Sequence, residues 1–124
     1  MTGDVRSLVV FQRAYALSLE LHRSSLSWPK VEQFGGIADQ VRRSSKAVCA
    51  LLAEGSGRQH ASAREWERYV VMALGSADET KLWCSYAQDL GYVDPAQAEA
   101  WRQSCGEVAR MLQGLRSRSL QTGN

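Results

Sequence analysis

Apolar residues recur at helical spacing in four separate runs, divided by short stretches that carry glycine, proline or several polar residues. In the first run Val10, Ala14, Leu17 and Leu21 make one row, and Leu8, Phe11 and Tyr15 make a second beside it. Two adjacent rows form an apolar face wider than one neighbouring helix covers. This helix, expected from about Asp4 to Ser25, should therefore meet a partner subunit as well as the chain's own core. Asp4 is placed to cap it or to serve as a first-turn anion. Pro29 forces Trp28 out of the α region and ends the run. Trp28 reads as a hydrophobic plug at the bundle end, with a base-stacking role as the sharper alternative.

The second run should start between Lys30 and Gly36 and continue to Glu54, with Ala38, Val41, Ser45, Val48 and Leu52 facing inward. Gly35 and Gly36 are poor helix formers, so its first turn is expected to be separate or kinked. Arg42, Arg43 and Lys46 fall on phases that can face outward, with Arg42 and Lys46 one turn apart. Gly55-Ser56-Gly57 reads as a left-handed helix stop. Glu54 just before it opposes the helix dipole and needs a partner. Arg58, Arg43 and the Ser76 hydroxyl are the candidates, in a structural pairing rather than a catalytic acid.

The third run opens on a capping box, Ser62 to Glu65, and continues through Trp66, Val70, Ala73, Ala77, Thr80, Cys84 and Ala87. It should end near Leu90-Gly91, a rod of roughly 40 Å at 1.5 Å per residue. Gly75-Ser76 inside it would let the second helix cross closely near Ala47 to Leu51. The fourth run has Asp94 as cap and Pro95 at its first position, then Ala98, Trp101, Cys105, Val108, Leu112 and Leu115. Arg110, Arg116 and Arg118 suit its C-terminal dipole. Residues 1–119 form one domain on this reading, and 120–124 a disordered tail. Four helices on short connections predict an all-α, antiparallel up-down four-helix bundle.

Composition changes this picture little. With 15 Lys and Arg against 13 Asp and Glu, the net charge of +2 is too mild to establish a nucleic-acid partner. The cations are nevertheless mostly arginine, 12 of the 15, whose planar fork suits phosphates and ion pairs alike. Cys49, Cys84 and Cys105 are odd in number, widely spaced and on apolar phases, as expected of buried free thiols. No apolar stretch approaches a membrane span and the N-terminus lacks a signal-peptide pattern, which points to the cytoplasm. Catalytic chemistry is not expected. Di-iron bundles need Glu-x-x-His pairs, and neither His22 nor His60 follows a glutamate by three. His60 falls in the loop before the third helix, in a solvated or capping role. No metal or cofactor is implied.

QVRRSSKAV…AEGSGR in the second helix, then ALGSADETKLW and AQDLGYVD in the third, resemble the four helix bundle proteins related to 23S rRNA intervening-sequence proteins. The resemblance runs from Arg6 to the end of the fourth helix. Its most specific parts are Arg42-Arg43, Ala53 to Arg58 (with Glu54, Gly55 and Gly57) and Gly75-Ser76. Cys49 and Leu51 stand where the family commonly has proline and asparagine. The resemblance implies a ring-shaped homopentamer of four-helix subunits. A related group, the accessory variability determinants of diversity-generating retroelements, are basic pentamers that bind nucleic acid and a reverse transcriptase. By that likeness Arg42, Arg43 and Lys46 become candidates for a surface that meets RNA or DNA phosphates, with Arg58, Arg64 and Arg68 on the adjoining helix. The alternative is an adaptor that docks a protein partner such as a reverse transcriptase without touching nucleic acid.

Overall fold

The computed structural model describes residues 4–58 and 62–122, with the side chains of 58 and 117–122 also outside the description. Among the described residues there are four α-helices: α1 (Val9–Ser25), α2 (Ile37–Arg58), α3 (Ala63–Asp89) and α4 (Pro95–Thr122). They pack in ring order, each on its sequence neighbour, with α4 closing back on α1 through the thinnest of the four seams. Cross-helix pairs set the directions. His22 meets Lys46 and Ser25 meets Arg42 between α1 and α2; Ser44 meets Thr80 and Glu54 meets Tyr69 between α2 and α3. Ser85 meets Arg102 and Glu67 meets Arg116 between α3 and α4, while Glu20 meets Trp101 between α1 and α4. Residue numbers rise on one helix as they fall on its partner at every seam, so the bundle is antiparallel, up-down-up-down.

The ends of the helices follow local chemistry, with three departures from the sequence reading. Asp4 caps a 3-10 turn, Val5–Ser7, rather than α1 itself, which starts later at Val9. A second 3-10 turn, Lys30–Glu32, precedes α2, and Gly35 at φ +79° makes the bend between them. The separate first turn expected of α2 is thus present. The second departure is at Gly55-Ser56-Gly57, which does not stop α2: the helix runs through to Arg58. Antiparallel packing against the start of α3 supports these last turns and outweighs a glycine cost of roughly 1 kcal/mol each. The left-handed stop lies at the end of α3 instead. Gly91 adopts φ +80°, Gly91 N–H donates to Gln88, and Tyr92 N–H reaches back to the Ala87 carbonyl at 2.9 Å. Those two bonds are a Schellman closure. Ser62 caps α3 by accepting from Glu65 N–H at 3.0 Å, and Asp94 caps α4 by accepting from Gln97 N–H at 2.9 Å. The third departure is the length of α4, which continues to Thr122, into the stretch expected to be a tail.

The core divides into two apolar clusters. One contains Val10, Ala14, Val48, Leu52, Trp66, Val70 and Leu112; the other contains Leu17, Leu21, Trp28, Val41, Cys84, Trp101 and Cys105. Between them, on three helices, lie the buried hydroxyls Ser18, Ser44, Ser45 and Thr80. Each finds a partner: Thr80 Oγ1 is 2.8 Å from both Ser44 Oγ and the Ser76 carbonyl, and Ser18 Oγ donates to Tyr15 O at 2.7 Å. Satisfied in this way, a polar layer carries little penalty and ties α2 to α3 at one register. Trp28 is 5% exposed and packs on Tyr92 with ring centroids 5.9 Å apart, which makes it the plug and leaves no open face for a base. All three cysteines are buried and free, and burial pushes the Cys49 thiol up to about 11.

Candidate nucleic-acid interface

The arginines and lysine expected on one surface take separate positions. Arg42 is turned inward. Its Nη1 donates to Ser25 Oγ at 2.8 Å, and its Nη2 donates to the Gln33 side-chain and backbone oxygens at 3.0 and 3.3 Å. The guanidinium therefore fastens the end of α1 and the following turn to α2. It is a fixed charge in the joint rather than an outward fork, because Ser25, itself fully buried, donates its own proton to the His22 carbonyl at 3.0 Å and leaves its oxygen to accept from the guanidinium. Arg43 is 74% exposed in its side chain and pairs with Asp39 one turn earlier, at 3.0 Å. Lys46 is exposed and its Nζ lies 2.9 Å from His22 Nδ1 on α1.

Arg64 and Arg68 lie at the far end of α2, in the first turns of α3. Arg64 is exposed; Arg68 pairs with Glu65 at 3.1 Å and lies over the Tyr69 ring, 5.0 Å from its centroid. The Arg58 side chain and His60 fall outside the described residues. Twelve residues of α2 separate Lys46 from Arg58, about 18 Å along the helix. The five candidates whose side chains are described thus fall into two groups, Arg42, Arg43 and Lys46 on α2 near the last turns of α1, and Arg64 and Arg68 in the first turns of α3.

The first group is larger than the sequence reading made it. Lys46 sits beside His22, and Arg23 and Arg42 add charge around the same ring. His22 and Arg23 escaped the sequence reading because their proximity to Lys46 depends on how far α1 slides along α2, which periodicity leaves free. Much of the remaining basic charge is spent on neighbours. Arg6, Arg13, Arg68, Arg102 and Arg116 each pair with a carboxylate, as Arg43 does.

The marked Glu54 to Gly57 motif has a structural explanation. Tyr69 OH donates to Glu54 Oε2 at 3.1 Å, a partner that was not among the three expected. Arg43, one of those three, lies about three turns from Glu54 and bonds Asp39 instead. At Gly55 an added Cβ would lie 2.6 Å from Tyr69 Cβ and 3.2 Å from the Trp66 ring. The glycine exists so that α3 can approach. Gly57 and Gly75 would meet nothing within 4 Å. The close crossing expected at Gly75-Ser76 is therefore at Gly55, while Gly75 lies on the exposed side of α3 and the Ser76 carbonyl accepts from Thr80.

Two apolar surfaces remain. On α3, Val71, Leu82 and Tyr86 are 41%, 50% and 49% exposed and share the side that carries Gly75. On the opposite side of the ring of helices, Leu8, Val9, Val10, Met111, Gly114 and Leu115 line a groove at the thin α1–α4 seam. Among the described residues no group of three or more His, Cys, Asp or Glu side chains could hold a metal ion, and no helix is long and apolar enough to cross a membrane.

Comparison with known proteins places these features in context. A family described as 23S rRNA-intervening sequence protein matches residues 6–114. Among solved structures, the chain is similar to a protein of unknown function from the S23 ribosomal protein family of Bacteroides thetaiotaomicron. That likeness has 19% identity and a TM-score of 0.75, and covers 87% of this chain and 98% of the other. It is a likeness of fold. No curated protein matches the sequence.

Proposed function

The chain belongs to the 23S rRNA-intervening sequence protein family, and from that membership we propose that it is a non-catalytic, homo-oligomeric bundle that binds RNA or DNA phosphates. The observation that carries the reading is the cationic group at the α1–α2 seam, where Lys46, Arg23 and Arg42 converge around His22. Phosphate contacts of this kind give affinity without base specificity. Phe11 and Tyr15 stack on the same flank of α1 with centroids 6.0 Å apart, and Tyr15 is exposed. An open ring beside cations suits a single strand, whose bases stack on any aromatic face.

Assembly multiplies a modest patch. The α3 stripe and the α1–α4 groove are unlike apolar surfaces on opposite sides of the subunit, which suits a head-to-tail contact that closes into a ring. Five copies is the size that the family resemblance implies. Arg64 and Arg68 stand at the N-terminal end of the stripe, on the rim of such a contact. Cytoplasmic residence fits this reading. The same stripe favours a second reading, in which it seats a protein partner such as a reverse transcriptase.

Light scattering and a mobility-shift assay on the purified chain separate the two. The leading reading expects a ring-sized particle, a shift with RNA or DNA at low salt, and loss of the shift in Arg43→Glu with Lys46→Glu. A monomer with no shift would leave only the docking reading.

A further inference from the structure

One residue of this surface is built to couple binding to pH, an inference that rests on the nucleic-acid reading above. His22 lies in the last turns of α1, half-buried, with its Nδ1 2.9 Å from Lys46 Nζ. An ammonium has only donors, so Nδ1 is the acceptor and the neutral ring carries its proton on Nε2. The charged groups acting on the ring are Lys46 and Arg42 from α2 and Arg23 from α1, and all are cations. The carboxylates of the adjoining elements are engaged elsewhere. Glu20 accepts from Trp101 of α4, Glu107 of α4 pairs with Arg13, and Asp39 of α2 holds Arg43. Glu32 of the connecting turn takes Tyr92 OH and Ile37 N–H. Arg42 cannot swing away, since Ser25 and Gln33 hold it. Lys46, led by its closeness, holds the imidazole below its ordinary range.

We propose that His22, with Lys46 and Arg23, forms a proton-linked cradle for one backbone phosphate, so that binding draws a proton onto His22 and strengthens as the pH falls. Three cations oppose a fourth until an anion arrives. A phosphate takes the Lys46 ammonium as a partner, which releases Nδ1. The ring then accepts a proton from bulk water, and the new Nδ1–H donates to a phosphate oxygen. Backbone phosphates stay ionised throughout this range, so the pH response comes from the protein. Uptake of one proton permits at most about a tenfold gain in affinity per pH unit.

Proton NMR of the His22 ring across pH tests this, with the protein free, with inorganic pyrophosphate, and with a short single-stranded DNA oligonucleotide; His22→Gln assigns the resonance. The proposal expects either anion to raise the ring's midpoint. It expects Lys46→Gln to raise it without any anion. Wild-type affinity for the oligonucleotide should grow several-fold between about pH 8 and pH 5.5, while the affinity of His22→Gln should show no such growth over the same range. Oligonucleotide binding that leaves the ring's midpoint unmoved would overturn the cradle and spare the nucleic-acid reading. Movement with pyrophosphate but no oligonucleotide binding at any pH would keep a proton-linked anion site and remove nucleic acid as its ligand. No response to either anion overturns both.

Discussion

Individual residues in the best-marked segments of this chain serve packing before they serve binding. Gly55 is the clearest case. Its missing Cβ admits Tyr69 and Trp66, so Gly55→Ala should destabilise the bundle by about 1–3 kcal/mol through overpacking. Gly75, with open space around its Cα, should gain about 0.5–1 kcal/mol as alanine. Chemical unfolding of the two variants should move the midpoint in opposite directions, and a parallel shift would refute the distinction. The two arginines at 42 and 43 divide in the same way. Arg42→Ala removes three hydrogen bonds that tie the end of α1 and the following turn to α2, at a cost of about 1–3 kcal/mol. Arg43→Ala breaks one exposed pair and should stay within about 0.5 kcal/mol of wild type. Adjacent arginines look alike in a sequence. Only the turn after α1, which brings Ser25 and Gln33 to one of them, tells them apart.

At the scale of elements, most of what the sequence predicts survives because it rests on local chemistry. Ser62 and Asp94 cap the helices they were expected to cap. The inward stripes of α1 to α4 are buried apart from half-buried Leu115, whereas the second row of α1 is half-buried at Leu8 and Phe11 and exposed at Tyr15. The errors come where a local signal competes with a neighbouring helix. Gly-Ser-Gly reads as a stop in isolation, yet α3 lies against it and the helix continues. Gly75-Ser76 reads as a crossing point by composition, while the register places the crossing at Gly55. The connection between α1 and α2 shows the opposite situation, with one carboxylate organising a bend. Glu32 accepts from Tyr92 OH at 2.7 Å and from Ile37 N–H at 2.9 Å, and these bonds, Tyr92 first, hold its carboxyl below the ordinary value of 4.5. A depressed carboxylate contributes stability above its unfolded value and loses it as the pH falls through the folded one. Denaturant midpoints of the wild type should therefore drop as the pH is taken below about 4.5, and Tyr92→Phe should flatten that drop. An identical acid limb in the variant would show that the bond does not hold the bend.

For the whole molecule, the fold was legible and the interface only partly so. Helix periodicity and the helix-end signals at Ser62, Gly91 and Asp94 lead to the bundle without knowing how any two helices are aligned. The candidate surface depends on that alignment. Arg43 and Lys46 stay outside as expected, Arg42 turns in, and His22 and Arg23 join from α1. The unpartnered apolar faces belong to the same scale, since they acquire meaning only in an assembly. If copies meet on this stripe, Leu82→Glu with Tyr86→Glu should give a monomer in sedimentation that keeps the helical circular dichroism of the wild type, because both side chains are half exposed in the subunit. Retention of the assembled state would mean that copies meet elsewhere.

On the reading proposed above, nucleic-acid phosphates bind at the α1–α2 seam. The most direct test of that reading is the affinity for a single-stranded oligonucleotide measured against salt concentration, for the wild type and for Arg43→Glu with Lys46→Glu. Log affinity is expected to fall linearly with log salt, by about 0.7 for each phosphate neutralised, with a shallower slope and weaker binding in the variant. Binding absent at low salt, or a slope that the two substitutions leave unchanged, would contradict it.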